Sequence, residues 1–196
     1  MSRSGILLLS NNVNSWDLLE WLNERISVIL YCGRIDRNFL RKLEPKLVVS
    51  YNYRYIIKPD VIDYMQGQLV NMHISLLPWN RGSAPNFWSF VDDTPKGITI
   101  HRVASGLDTG DIIFQKELFF DEEAETFVSS YDKLQIEMVD LFKENWRELY
   151  EGVYSFRVQE GKGSYHTQKE MKEFLKDKDF SWDMKISEFK RRYCNV

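Results

Sequence analysis

Cysteine is almost missing from this chain of 196 residues. Cys32 and Cys194 lack metal-ligand spacing and form no disulfide framework, so they read as two reduced thiols. Nowhere is there an apolar run near the roughly 20 residues that a membrane span needs. The N-terminal Ile6-Leu7-Leu8-Leu9 is too short for a secretory hydrophobic region, and the cytoplasm is the expected location. Positive charge is not in excess either: 26 Lys and Arg stand against 29 Asp and Glu, a formal net charge of -3 that gives no electrostatic case for nucleic acid or membrane binding. Internal repeats, coiled-coil heptads and low-complexity tracts are absent. The length predicts one catalytic domain over residues 1–155 and a short C-terminal extension over 156–196, with no room for a second catalytic domain.

What the chain does have is alternation of apolar strands and amphipathic helices. Gly5–Ser10, Ile26–Cys32 and Lys46–Ser50 read as buried strands, separated by a helix over Asn14–Arg25, capped by Asn14 or Ser15, and a shorter one near Asp36–Leu43. Leu69–Ile74 is a fourth strand, and Gly97–Val103 and Ile112–Leu118 are two more. This order predicts an α/β fold, a doubly wound and mostly parallel sheet whose ligands lie beyond the carboxyl ends of the strands. Glu123–Tyr150 is the longest helical pattern, with Phe127, Tyr131, Leu134, Met138 and Leu141 as a core-facing stripe. Lys169–Phe180 reads as a charged surface helix, and Trp182, Ile186 and Phe189 give the C-terminal segment something to bury.

The chemistry concentrates in two places. Asn71 and His73 are two apart in a strand and share one face, in Asn71-Met72-His73-Ile74-Ser75-Leu76-Leu77-Pro78. Asp108 arrives from a separate loop bracketed by glycines, Gly106-Leu107-Asp108-Thr109-Gly110-Asp111. An amide can hold a developing oxyanion, an imidazole can carry a proton near neutral pH, and a carboxylate can orient that imidazole or a water. Standing alone, Asn-x-His fits a strand end and a core histidine just as well. Asp111 reads as a turn cap and His101 as a structural histidine.

Taken with Asn80-Arg81-Gly82, Pro85-Asn86-Phe87-Trp88 and Thr94-Pro95-Lys96-Gly97-Ile98-Thr99, these motifs follow one another in an order that resembles the formyltransferases using 10-formyltetrahydrofolate. One departure is Ile74, where many members have proline. The resemblance implies a Rossmann-like formyltransferase fold, folate as co-substrate and no metal. Asn71 would donate to the oxyanion, His73 would share that work or carry the proton, and Asp108 would orient His73. A pterin slot would be formed by Tyr53, Tyr55, Ile56 and Ile57 with Gly106, Leu107 and Gly110, the glycines allowing close backbone approach.

Within that family, glycinamide ribonucleotide enzymes carry a glycine-rich phosphate loop, whereas this chain has Ser10-Asn11-Asn12-Val13-Asn14. Methionyl-tRNA enzymes add a C-terminal barrel and basic surfaces, and formyltetrahydrofolate hydrolases an N-terminal regulatory domain, neither expected here. The branch that formylates nucleotide-linked deoxyamino sugars for surface polysaccharides is the most similar, through Ser50–Lys58 and Gln159–Lys169. Trp79, Asn80, Arg81, Trp88 and Tyr165 are then candidate walls for a nucleotide diphosphate sugar, with Arg81 suited to a phosphate. A homodimer is a further expectation of the resemblance. Two other readings compete: a noncatalytic folate-binding relative, and a generic nucleotide-binding domain indifferent to folate.

Overall fold

In the computed structural model, residues 5–194 are described. The chain opens with β1 (Ile6–Leu9), a single 3-10 turn at Val13–Ser15, α1 (Trp16–Asn23), β2 (Val28–Tyr31), α2 (Arg37–Leu43), β3 (Leu47–Tyr51), α3 (Pro59–Met65) and β4 (Leu69–His73). There follow β5 (Arg81–Gly82), α4 (Pro85–Val91), β6 (Gly97–Arg102), β7 (Ile112–Glu117) and the 25-residue α5 (Phe127–Glu151). Last come β8 (Tyr165–His166), α6 (Gln168–Leu175) and α7 (Ile186–Tyr193).

Six strands form one sheet in the order β2-β1-β3-β4-β6-β7. The first four are parallel; β6 and β7 form an antiparallel hairpin beside β4. This is the mostly parallel, doubly wound sheet expected from the alternation. Strand periodicity divides the core in two. Ile6, Leu8, Val49, Val70, Met72 and Ile100 face α1 and α5, while Leu7, Leu9, Val48 and Leu69 face α2 and α3. Because Leu69 points to the α3 side, Asn71 and His73 point there too, beyond the reach of the two small helices. The register pairs Asn71 with His101 and His73 with Thr99, so all four side chains line one face.

A third apolar cluster lies outside the sheet. Phe87, Trp88 and Phe90 of α4, Phe127 at the start of α5, and Ile186 and Phe189 of α7 are all buried, with Phe174 and Phe180 packed against them. The C-terminal segment thus covers α4 and the first turn of α5.

Several boundaries differ from the sequence expectation. α5 begins at Phe127 rather than Glu123, because Thr126 and Ser129 cap each other reciprocally and end the preceding turn. Ser15 stands at the N-cap of α1 as expected but makes no side-chain capping bond, and the capping hydrogen bond comes one turn earlier, where Asn12 accepts from Asn14 N–H at the 3-10 turn. The charged helix spans only Gln168–Leu175, with Met171, Phe174 and Leu175 lying against the third cluster. α3 and α4 were not expected; each carries proline at its first turn, the one local signal for them.

Candidate active site

The antiparallel course of β6 sets where the Asp108 loop runs: it leaves beside Leu69, whose carbonyl accepts from Val103 N–H, and returns along the open face toward His73. Asp108 sits at φ 53°, in the left-handed region, and this bend turns its carboxylate down onto the strand. Gly110 makes the return tight. A Cβ there would lie 1.7 Å from the carbonyl oxygen of Arg102.

The three expected catalytic side chains meet. Asn71 Nδ2 donates to Asp108 Oδ1 at 3.2 Å, and His73 Nδ1 lies 3.7 Å from Oδ2. The backbone N–H of Gly82, from β5, donates to the same Oδ2 at 2.9 Å. His73 Nε2 lies 2.9 Å from the carbonyl oxygen of Asn80; a carbonyl only accepts, so Nε2 carries a hydrogen and Nδ1 is the nitrogen turned toward the carboxylate.

A fourth member, His101, had been read as structural. Its Nδ1 donates to the Arg102 carbonyl at 2.8 Å, leaving Nε2 to accept from Asn71 Nδ2 at 3.1 Å, and Nε2 is 3.6 Å from Asp108 Oδ1. His101 stands where the β6–β7 register shifts, an irregularity that re-aims side chains. Only the antiparallel register brings it opposite Asn71, and no local sequence signal carries that pairing.

Electrostatics follow from this crowding. Burial disfavours the charge on Asp108, but attraction to the His73 and His101 rings in their protonated form, with the Gly82 N–H, outweighs it and holds the carboxyl far below the usual carboxylate range. The result is a fixed negative charge between two imidazoles. Asn71 spends its amide hydrogens on His101 and Asp108, so a ligand oxygen arriving at Nδ2 competes with both for a donor.

The remaining candidates fall into distinct places. Ile56 and Leu107 are exposed apolar side chains, and Gly106, beside Leu107 on the Asp108 loop, is exposed as well. Tyr55 is half-buried. Tyr53 and Ile57 pack on the α2–α3 side, with the Tyr53 hydroxyl donating to the Gly33 carbonyl. Trp79 and Tyr165 are exposed, and the Tyr165 ring lies against Gly82. Asn80 and Trp88 are not on a wall. Asn80 is buried, with its side chain bonded to Thr94 and Ser164, while Trp88 stacks on His166 at 4.2 Å within the third cluster. Arg81 gives its guanidinium to Gln159 Oε1 at 2.8 and 3.1 Å, so it is engaged inside the protein rather than held out toward a phosphate. Asp111 does not cap the turn; its carboxylate lies 4.0 Å from Arg102.

On the other face of the β4 end, Ile74 lines a cavity of about 250 Å³ with Pro85, Phe87, Phe127, Tyr131 and Trp182. Phe127, buried in the third cluster, and Tyr131, packed against the sheet core, face the interior as expected, and both also wall this cavity. The Tyr131 hydroxyl accepts from Asn12 and Asn14 Nδ2, each at 3.4 Å. Among the described residues, no group of three or more His, Cys, Asp or Glu is arranged to hold a metal ion, and no helix is long and apolar enough to cross a membrane.

Comparison with known proteins accords with this geometry. The PseJ formyltransferase of Anoxybacillus kamchatkensis, solved with UDP-4,6-dideoxy-4-formamido-L-AltNAc and tetrahydrofolate, is 36% identical, with a TM-score of 0.85 over 93% of this chain and 96% of that one. A 4-N formyltransferase from Francisella tularensis shares the fold at 21% identity and a TM-score of 0.77, covering 95% of this chain and 86% of its own. The methionyl-tRNA formyltransferase of Thermodesulfovibrio yellowstonii is 30% identical over 137 residues, 68% of this chain and 44% of that protein. The chain thus spans less than half the length of such curated relatives. The formyl transferase family model matches residues 36–143, more than half of the chain and all of the Asn71, His73 and Asp108 cluster, and the protein belongs to that family.

Proposed function

We propose that this protein transfers the formyl group of 10-formyltetrahydrofolate to the amino group of a nucleotide-linked amino-dideoxyhexose, in the cytoplasm and toward surface polysaccharides. The observation that carries this is the likeness to PseJ across nearly the whole of both chains, joined to a cluster that suits acyl transfer. Folate supplies an activated formyl group. Ile56, after β3, and Leu107, next to Asp108, offer exposed apolar surface suited to a flat ring, and Gly106 and Gly110 keep the loop backbone free of side chains.

The protein's own groups then have separable tasks. Asn71 Nδ2 donates to the formyl oxygen as charge grows there, a role typically worth about 3–4 kcal/mol of transition-state stabilisation. His73 takes up or delivers a proton at Nδ1, beside the Asp108 carboxylate that stabilises the imidazolium. The acceptor sugar approaches at the carboxyl end of β4, where the apolar cavity at Ile74, one residue past His73, suits the methyl and ring carbons of a deoxysugar.

The test is incubation with 10-formyltetrahydrofolate and a panel of UDP- and dTDP-linked 3-amino and 4-amino deoxysugars, glycinamide ribonucleotide and methionyl-tRNA, following tetrahydrofolate release and product mass. A formylated sugar that disappears with His73→Ala is the expected result. Formylation of methionyl-tRNA alone would replace the sugar reading, and folate binding without any turnover would make the protein a noncatalytic relative.

A further inference from the structure

Asp108 must be held in a left-handed backbone conformation, on a loop whose flanking residues Gly106, Leu107 and Thr109 are exposed. The side chain that meets this need comes from far along the chain. Gln159 Nε2 donates to the carbonyl oxygens of both Asp108 and Gly110 at 2.8 Å, while its Oε1 accepts from Arg81 Nε and Nη2 at 3.1 and 2.8 Å. Two carbonyls require a donor and a guanidinium requires an acceptor, so the amide has one satisfactory orientation. All of its hydrogen-bonding capacity is used.

The segment around it is anchored on both sides. Arg157 exchanges backbone hydrogen bonds with Ile112 at 2.8 and 2.9 Å, where β7 begins, and Tyr165–His166 pairs with Arg81–Gly82, which supplies the N–H on Asp108 Oδ2. Gln159 therefore joins the Asp108 loop to the very strand that completes the carboxylate's surroundings.

We propose that Gln159 is a positioning residue for formyl transfer: through its amide it fixes the Asp108 loop against β5, so that the carboxylate stays seated between His73 and His101. This rests on the formyltransferase reading of the site. It also gives Arg81 a role, as the group that orients Gln159, in place of a phosphate contact.

Gln159→Glu keeps the shape and the Arg81 contact but turns the two N–H donors into a charged acceptor facing the loop carbonyls, whereas Gln159→Ala removes the donors without adding charge and is the discriminating variant. Both should lower kcat by about 10- to 100-fold, the scale on which misplacement of a catalytic group acts, with KM for folate and acceptor within about threefold of wild type. In the Asp108→Asn background the same substitutions should cost less than about threefold more, because there is no carboxylate left to position. A kcat within twofold of wild type in Gln159→Ala, or full additivity of Gln159→Ala with Asp108→Asn, would overturn the proposal.

A second measurement needs no acceptor. The Asp108 carboxyl carbon, followed by 13C NMR as pH is lowered, should titrate at higher pH in Gln159→Ala, which adds no charge, than in wild type. If that shift is seen while wild type formylates no sugar, the acceptor assignment fails and the positioning role stands. An unchanged titration overturns the positioning role whatever the acceptor.

Discussion

Asp108 receives an amide hydrogen from Asn71 and a backbone N–H from Gly82, and it lies between two imidazoles that favour its charge when they are protonated. Removing that charge while keeping the shape isolates its role. Asp108→Asn should lower kcat by about 10²- to 10⁴-fold with a much smaller change in KM, measured by tetrahydrofolate release. The same residue makes a stability prediction. Its folded carboxyl titrates below the value of about 3.9 for an unfolded aspartate, so its contribution is fully present above that pH and is lost as pH falls through the depressed folded value. Urea unfolding should therefore show wild type more stable than Asp108→Asn at pH 7, with the gap narrowing below about pH 4. A gap that stays constant down to pH 2 would show that the carboxylate is not specially held. At this scale the sequence was informative. Asn71, His73 and Asp108 could be named from motif and spacing, whereas Asn80 and Trp88 could not be placed, because burial of a polar or aromatic side chain depends on what packs over it.

Among the elements, the shortest strand has the largest chemical consequence. β5 is two residues long, yet it delivers the Gly82 N–H to Asp108 and is held by β8. Gly82 has φ 88°, and a Cβ there would lie 2.3 Å from the His166 carbonyl oxygen. Gly82→Ala should push β5 from β8 and lower kcat by about tenfold or more, while folate binding, measured by titration with a nonreactive folate, changes little. α5 offers a control far from the chemistry. Thr126→Ala removes one half of a reciprocal cap and should cost about 1 kcal/mol in chemical unfolding, with kcat unchanged. Long elements were legible because periodic burial accumulates over many residues. β5, β8 and α7 were not, since a two-residue strand has no period and α7 takes its buried face from the aromatic cluster it covers.

For the whole molecule, the segment after α5 does two jobs at once. Its aromatic and aliphatic side chains close the third cluster over α4, and on the way it carries Gln159 and β8 past the site. Phe189 is fully buried there, with Phe87, Phe127, Phe174 and Phe180 rings between 5.3 and 6.3 Å from its own. Phe189→Ala should destabilise by about 3–5 kcal/mol in urea unfolding, and activity should be lost at the same urea concentration as structure around Trp88 and Trp182. Separate transitions would mean that the C-terminal segment melts independently of the sheet. Lys190, nearly buried beside Phe189, pairs with Glu122 at 2.8 Å and Asp93 at 3.3 Å and fixes α7 against the turns at the ends of α4 and β7.

The sequence by itself determined the alternating α/β order, the shared face of Asn71 and His73 and the identity of the three side chains that meet, because a strand's two-residue period and a motif's residue types are local properties. Tertiary structure decided the rest. The antiparallel turn of β6 put His101 opposite Asn71 and sent the Asp108 loop over the face of β4. The return of residues 157–166 brought Gln159 to that loop, 51 positions from Asp108, and engaged Arg81. Pairing direction and long-range contact are set by which surfaces can be buried together, and no window along the chain contains both partners.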